Sequence, residues 1–179
     1  MRKDSIKKIS LLLIVAMLLS LGLAACGGGS SNSNTTPGGN NSGGNKEAGW
    51  VFKKGSVTIA MFDDADAVIK ALGAYKSTYE AESCAFDGKD VIYSYPGYDV
   101  LAFQEKDRKV ISGVILRDDT VETPEHVSIG SSMADVEKAY GKFEDGATSM
   151  RLDKGNCQLL ILTDNGKVIH IQYIALAED

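Results

Sequence analysis

The stretch "NCQLLILTDNGKVIHIQYI", Asn156 to Ile174, reads as two strands joined by a tight turn. Asn165-Gly166 is the residue pair that a two-residue hairpin favours, because both positions need a positive φ, and the flanking runs are rich in Ile, Leu and Val. Side chains alternate across a strand, so Leu159 and Ile161 share one face, and Ile169, Ile171 and Tyr173 share another expected to be core. His170 then points the opposite way, beside Gln172, towards water.

Outward from this hairpin the chain looks duplicated. "DNGKVIHIQYI" (Asp164 to Ile174) aligns with "KDRKVISGVIL" (Lys106 to Leu116), and the latter follows its own alternating segment, "YDVLAFQE", in which Leu101 and Phe103 share a face. Upstream of each lies a short helical pattern: "DDADAVIKALG" (Asp63 to Gly73) and "SSMADVEKAYG" (Ser131 to Gly141). Asp63 or Asp64 and Ser131 or Ser132 are N-cap types, and Ser132 with Asp135 approximates a capping box. Gly73 and Gly141 are the expected terminators. Val68, Ala71 and Leu72 fall at i, i+3 and i+4, as do Val136, Ala139 and Tyr140, which makes one face of each helix apolar. The first copy is the longer one, and its surplus within "STYEAESCAFDGKD" adds a strand ending at Asp87-Gly88. The expected fold is α+β: two tandem helix-plus-antiparallel-sheet repeats, at about 56–118 and 127–175, with the helices on one face of the sheet and water on the other.

Ahead of this domain, Arg2, Lys3, Lys7 and Lys8 precede the apolar run Ile9 to Leu21, the order of a secretory signal. The run is short for a membrane span. It ends in Leu23-Ala24-Ala25-Cys26, which resembles the lipobox of bacterial lipoproteins. That resemblance implies a signal peptide over residues 1–25 and a diacylglycerol on the thiol of Cys26. Residues 26–49 are then the lipidated cysteine and a Gly/Ser/Asn tether, whose few apolar side chains cannot offset the entropy of ordering. A coil of this length has a root-mean-square reach of roughly 25–30 Å. The expected location is the extracellular face of the cell membrane, held by the N-terminal lipid.

The whole chain carries a net charge of −5. Removal of residues 1–25 takes away four basic residues and one acidic one, which leaves −8. That balance excludes nucleic acid and a polybasic membrane-docking face. Residues 50–179 are long enough for one compact domain with its own core.

Two tandem helix-plus-sheet units resemble the β-lactamase inhibitory protein (BLIP-like) fold, shared with small lipoproteins of the outer-membrane barrel-assembly machinery. "SCAFDGKDVIYSYPGYDVLAF" followed by "VILRDDTVETPEHVSIGSSMADVEKAYG" looks like a group of uncharacterised lipoproteins of Gram-positive bacteria. The likeness covers Phe52 to Ile174 and rests on caps, terminators and turns. It implies a fold and transfers no contact residue.

Catalytic groups are sparse. His126 falls in a loop and His170 on a strand, and no Ser or Cys nucleophile stands at recognisable spacing to either. Cys84 and Cys157 are both expected to point inward. Outside the cell a disulfide between them is open chemically, provided the α-carbons come within about 4.4–6.8 Å, and buried free thiols are the preferred reading. No Cys or His spacing points to a metal. The acids of "RDDTVETPEH" (Asp118, Asp119, Glu122, Glu125) read as a solvated connector between the copies. Tyr93 and Tyr95 share a strand face with Val91, and Tyr98 follows the Pro96-Gly97 turn. If that face is outward, the three tyrosines join His170 and Gln172 in a protein-binding surface; if inward, they are core.

These readings lead to a non-enzymatic, lipid-anchored binding protein that calls for no cofactor and meets a protein or envelope partner through its exposed sheet face. The alternative is an inhibitor or sensor of cell-wall-active enzymes such as β-lactamases, which requires an aromatic-rich concave face. A secreted hydrolase requires a pocket that holds a histidine against a nucleophile.

Overall fold

The computed structural model describes residues 49–83, 88–105 and 107–176. The signal peptide, Cys26, the tether up to residue 48 and Cys84 lie outside the described residues. The chain opens with a small hairpin, β1 (Val51–Lys54) and β2 (Val57–Ala60), followed by α1 (Ala65–Leu72). Then come β3 (Ser77–Glu82), β4 (Lys89–Tyr95), β5 (Tyr98–Glu105) and β6 (Arg108–Leu116). A connector leads to α2 (Met133–Tyr140), β7 (Ser149–Lys154), β8 (Cys157–Asp164) and β9 (Lys167–Ala175). One antiparallel sheet of seven strands, in the order β3-β4-β5-β6-β9-β8-β7, forms the body, and β1-β2 is a separate pair.

With 51% strand and 13% helix the fold is mostly β, which corrects the expected α+β arrangement of helix-plus-sheet repeats with helices laid over one face. The physical reason is the amount of cover two short helices provide. Each has eight residues, and only Ala65 and Val68 of α1 and Val136 of α2 are buried. Such helices, about 12 Å long, are too small to seal a seven-stranded sheet. The β1-β2 hairpin supplies much of the remainder through Phe52 and Ile59, both fully buried. The connector adds Val121, Thr123 and Val127, all buried, so it is less solvated than its acids suggest.

Local signals form as their chemistry dictates. Asp64 caps α1 by accepting the Ala67 N–H at 2.8 Å. Ser132 and Asp135 make a reciprocal capping box at α2, an arrangement worth about 1 kcal/mol. Asn165 and Gly166 adopt φ of 47° and 73° in the β8–β9 turn, as a two-residue hairpin requires.

The packed face of the sheet follows the register. Tyr95 faces Tyr98, Tyr98 faces Leu116, Leu116 faces Ile171 and Ile171 faces Ile161. A second row runs Tyr93, Val100, Val114, Tyr173, Leu159, Leu152. Two strand readings shift. Leu101 is only half-buried and lies on the opposite face, since Tyr98, Val100 and Ala102 take the core side of β5. Ile169 is 56% exposed because a register irregularity pairs Val168 with Thr163 and His170 with Leu162, leaving Ile169 between them.

Candidate functional site

The face of the sheet turned away from this core carries two long cross-strand rows. One runs Tyr79, Ile92, Leu101, Gly113, Ile174, Gln158; the other runs Ser94, Asp99, Ile115, Gln172, Leu160, Arg151. Ile92, Leu101, Ile115, Leu160, Leu162 and Ile174 are all half-buried, so an aliphatic band crosses the middle of the sheet within reach of solvent. Gly113 keeps this band shallow: a β-carbon there would stand 2.8 Å from the Tyr173 carbonyl oxygen, so no side chain fits.

Asp99 and His170 on this face have side-chain partners. Asp99, 7% exposed, accepts from Arg117 Nε at 2.7 Å and Nη2 at 2.6 Å. Arg117 is half exposed, so solvent screens the pair and its contribution to stability is modest. His170 lies half-buried with its Nε2 3.1 Å from Gln172 Oε1, which places both expected residues together on the outer face. His126 sits in the connector, its Nδ1 2.6 Å from Glu122 Oε1, on a strongly exposed side chain with φ of 64°.

The tyrosines are not on this surface: of the two placements open to Tyr93, Tyr95 and Tyr98 the structure takes the inward one, which removes them from the possible protein-binding face. They are 7%, 6% and 2% exposed and line the core side. Tyr95 and Tyr98 stack with centroids 5.1 Å apart and planes within 7° of parallel. Tyr95 also donates its hydroxyl to the Gly73 carbonyl at 3.4 Å, fastening the end of α1 to β4. Burial pushes the Tyr98 phenol up to about 12, with the neighbouring Tyr95 adding to the shift. β-strands recruit tyrosine for packing when its hydroxyl can reach the rim, and that is its use here.

Cys157 is a free thiol, fully buried and on the core side of β8, facing the same way as Leu159 and Ile161. Burial pushes it up to about 11, against backbone hydrogen bonds that lower it. In a Cys84→Ser background, its reaction with a thiol reagent at pH 8 is expected to be roughly 100-fold slower than that of an exposed cysteine, from the thiolate fraction alone. Denaturant should remove the difference, and prompt labelling of the folded protein would contradict the burial.

Two features escaped the sequence reading. Trp50 donates its indole N–H to the Leu152 carbonyl at 2.9 Å and meets Tyr140 edge-on at 5.8 Å, so the chain is fastened to the body where the tether ends. Tyr140 donates to Glu125 at 2.6 Å and lies 2.7 Å from the Thr123 hydroxyl, which draws the connector onto α2. Neither contact has a local signal, because the partners are distant in sequence. Among the described residues no cluster of three or more His, Cys, Asp or Glu is placed to hold a metal ion. No protein-family model, curated protein or solved structure matches the chain.

Proposed function

We propose that the protein is a lipid-anchored binding protein of the bacterial cell envelope, displayed on the extracellular face of the membrane, whose outer sheet face meets a protein or envelope partner. The observation that carries this reading is the aliphatic band of Ile92, Leu101, Ile115, Leu160, Leu162 and Ile174. A lone apolar residue on a surface means little, whereas a contiguous band rimmed by polar groups is how partner-binding surfaces are built. Gln172, between Ile115 and Leu160 within the band, and His170 and Arg151 at its margin offer directional hydrogen bonds. The lipobox-like Leu23-Ala24-Ala25-Cys26 and the tether support the anchoring half of the proposal. The inhibitor alternative loses its main support, because Tyr93, Tyr95 and Tyr98 do not furnish an aromatic outer face.

Photo-cross-linking in cells tests the binding half. A photoreactive residue at Leu160 or Leu101 should give discrete adducts, while one at the exposed Lys53 of β1 should not. Identical products from all three positions would remove the outer face as the binding surface.

A further inference from the structure

The described residues begin at a crowded point. Gly49 lies so close to the β7–β8 turn that a β-carbon on it would stand 2.8 Å from Asn156 Oδ1, 3.0 Å from the Lys154 carbonyl oxygen and 3.2 Å from the Cys157 β-carbon. Trp50 follows, half-buried, with its indole N–H given to the Leu152 carbonyl and Lys154 Nζ 4.9 Å from its ring centroid. The same ring meets Tyr140 of α2 edge-on, and the connector takes up the Tyr140 hydroxyl. That hydroxyl has one proton, which goes to Glu125 because a carboxylate only accepts, so the Thr123 hydroxyl donates to the Tyr140 oxygen. Thr123 Oγ1 also accepts the Val127 N–H at 3.2 Å, and the Thr123 N–H donates to the Val127 carbonyl at 2.8 Å. Thr123 and Val127 are each 1% exposed, so this is where the connector enters the core.

We propose that Trp50 is a latch through which the N-terminal end of the domain controls the connector. With the ring seated, Tyr140 is held where its hydroxyl ties down Glu125 and Thr123. With the ring lifted, Tyr140 turns and residues 121–127 open together. Trp50, Tyr140 and Glu125 are half-buried side chains, so each can move while the ladder of the sheet stays closed. The closed arrangement is also opposed from within. Tyr173, 1% exposed, has a hydroxyl without a hydrogen-bond partner among the described residues, and Tyr140, Glu125 and Cys157 are its electrostatic neighbours. A buried hydroxyl left unpaired is costly, and movement of Tyr140 admits water to it, so the closed form is poised against an open one. Packed side chains with two discrete arrangements are what coupling between separate places in a fold requires. The coupling follows from contacts inside the domain and stands whatever the outer face binds; only the idea that a membrane anchor acts on this end rests on the proposal above.

Hydrogen exchange on the full chain in detergent reads the latch. Trp50→Ala should speed exchange of the Thr123, His126 and Val127 amides, whose acceptors lie within the connector, at least about tenfold, while the Ile161 and Ile171 amides of the sheet keep their rates. Tyr140→Phe, which keeps the ring and loses the hydroxyl, should produce the same rise. The double variant should show no more than the larger single effect, since both substitutions break one route. Coupling between two places is reciprocal, so Tyr140→Phe should also speed thiol labelling of Cys157, which lies against Gly49 and the Trp50 backbone, at least about threefold in a Cys84→Ser background. An unchanged connector in Trp50→Ala, exchange that rises equally in connector and sheet, additive effects of the two substitutions, or Cys157 labelling indifferent to Tyr140→Phe would each overturn the inference.

Discussion

Replacing Cys26 by Ala is expected to abolish membrane attachment of the mature protein altogether, or to leave the precursor uncut. The thiol is the proposed acceptor of the diacylglycerol, and its removal eliminates the group on which both processing and anchoring depend. Each buried methylene contributes about 0.8 kcal/mol, and a single acyl chain gives only marginal binding, so durable anchoring needs more than one chain on that residue. The net charge of −8 expected after cleavage is repelled by anionic headgroups, and no helix among the described residues is long and apolar enough to cross a membrane. Lipid labelling, electrophoretic size and detergent phase partition of the variant give the answer. A Cys26→Ala protein that is trimmed to mature size and still enters the detergent phase would end the anchoring proposal, whatever its outer face binds.

The parts of the fold legible in the sequence are those encoded within a few residues. Asn165-Gly166 needs no distant partner to turn a chain, and Ser132 with Asp135 completes its capping box across three positions. The faces of the strands were legible only where one side is polar. In β9, Gln172 and His170 against Ile171 and Tyr173 leave one solution, which the structure adopts over those four residues, whereas Ile169, expected on the same core face, is exposed at the register irregularity. In β5, Tyr98, Val100 and Ala102 alternate with Leu101 and Phe103, so both sides are apolar and periodicity cannot choose between them. The same ambiguity left the side of Tyr93 and Tyr95 open. The aliphatic band of the outer face is the residue of that ambiguity: Leu101 and Ile92 are what remains when the tyrosines take the core. The β1-β2 hairpin was missed because each strand has four residues and Lys53, Lys54 and Gly55 break its pattern. Its identity as a cover depends on partners more than forty residues away.

That cover sets the second large expectation, in stability. Phe52 is fully buried, with its ring centroid 5.2 Å from Tyr98 and 6.0 Å from Tyr173. Tyr98 belongs to β5 and Tyr173 to β9, the two neighbours of β6, so one side chain from β1 ties the first-half strands to the second-half strands. Phe52→Ala should cost about 3–5 kcal/mol, since it removes an aromatic side chain whose cavity cannot collapse between two fixed rings. For a domain of ordinary stability, about 5–15 kcal/mol, that is about a fifth of the total or more. Ile171→Ala, buried in the same face, should cost about 2–4 kcal/mol. Leu101→Ala, half-buried on the opposite face, should cost about 1 kcal/mol because less apolar surface is returned to water. Urea unfolding of the three variants ranks them directly. If helices rather than the hairpin sealed the sheet, Phe52→Ala would be nearly neutral; a ranking with Leu101 above Phe52 would mean that the two faces of the sheet have been exchanged.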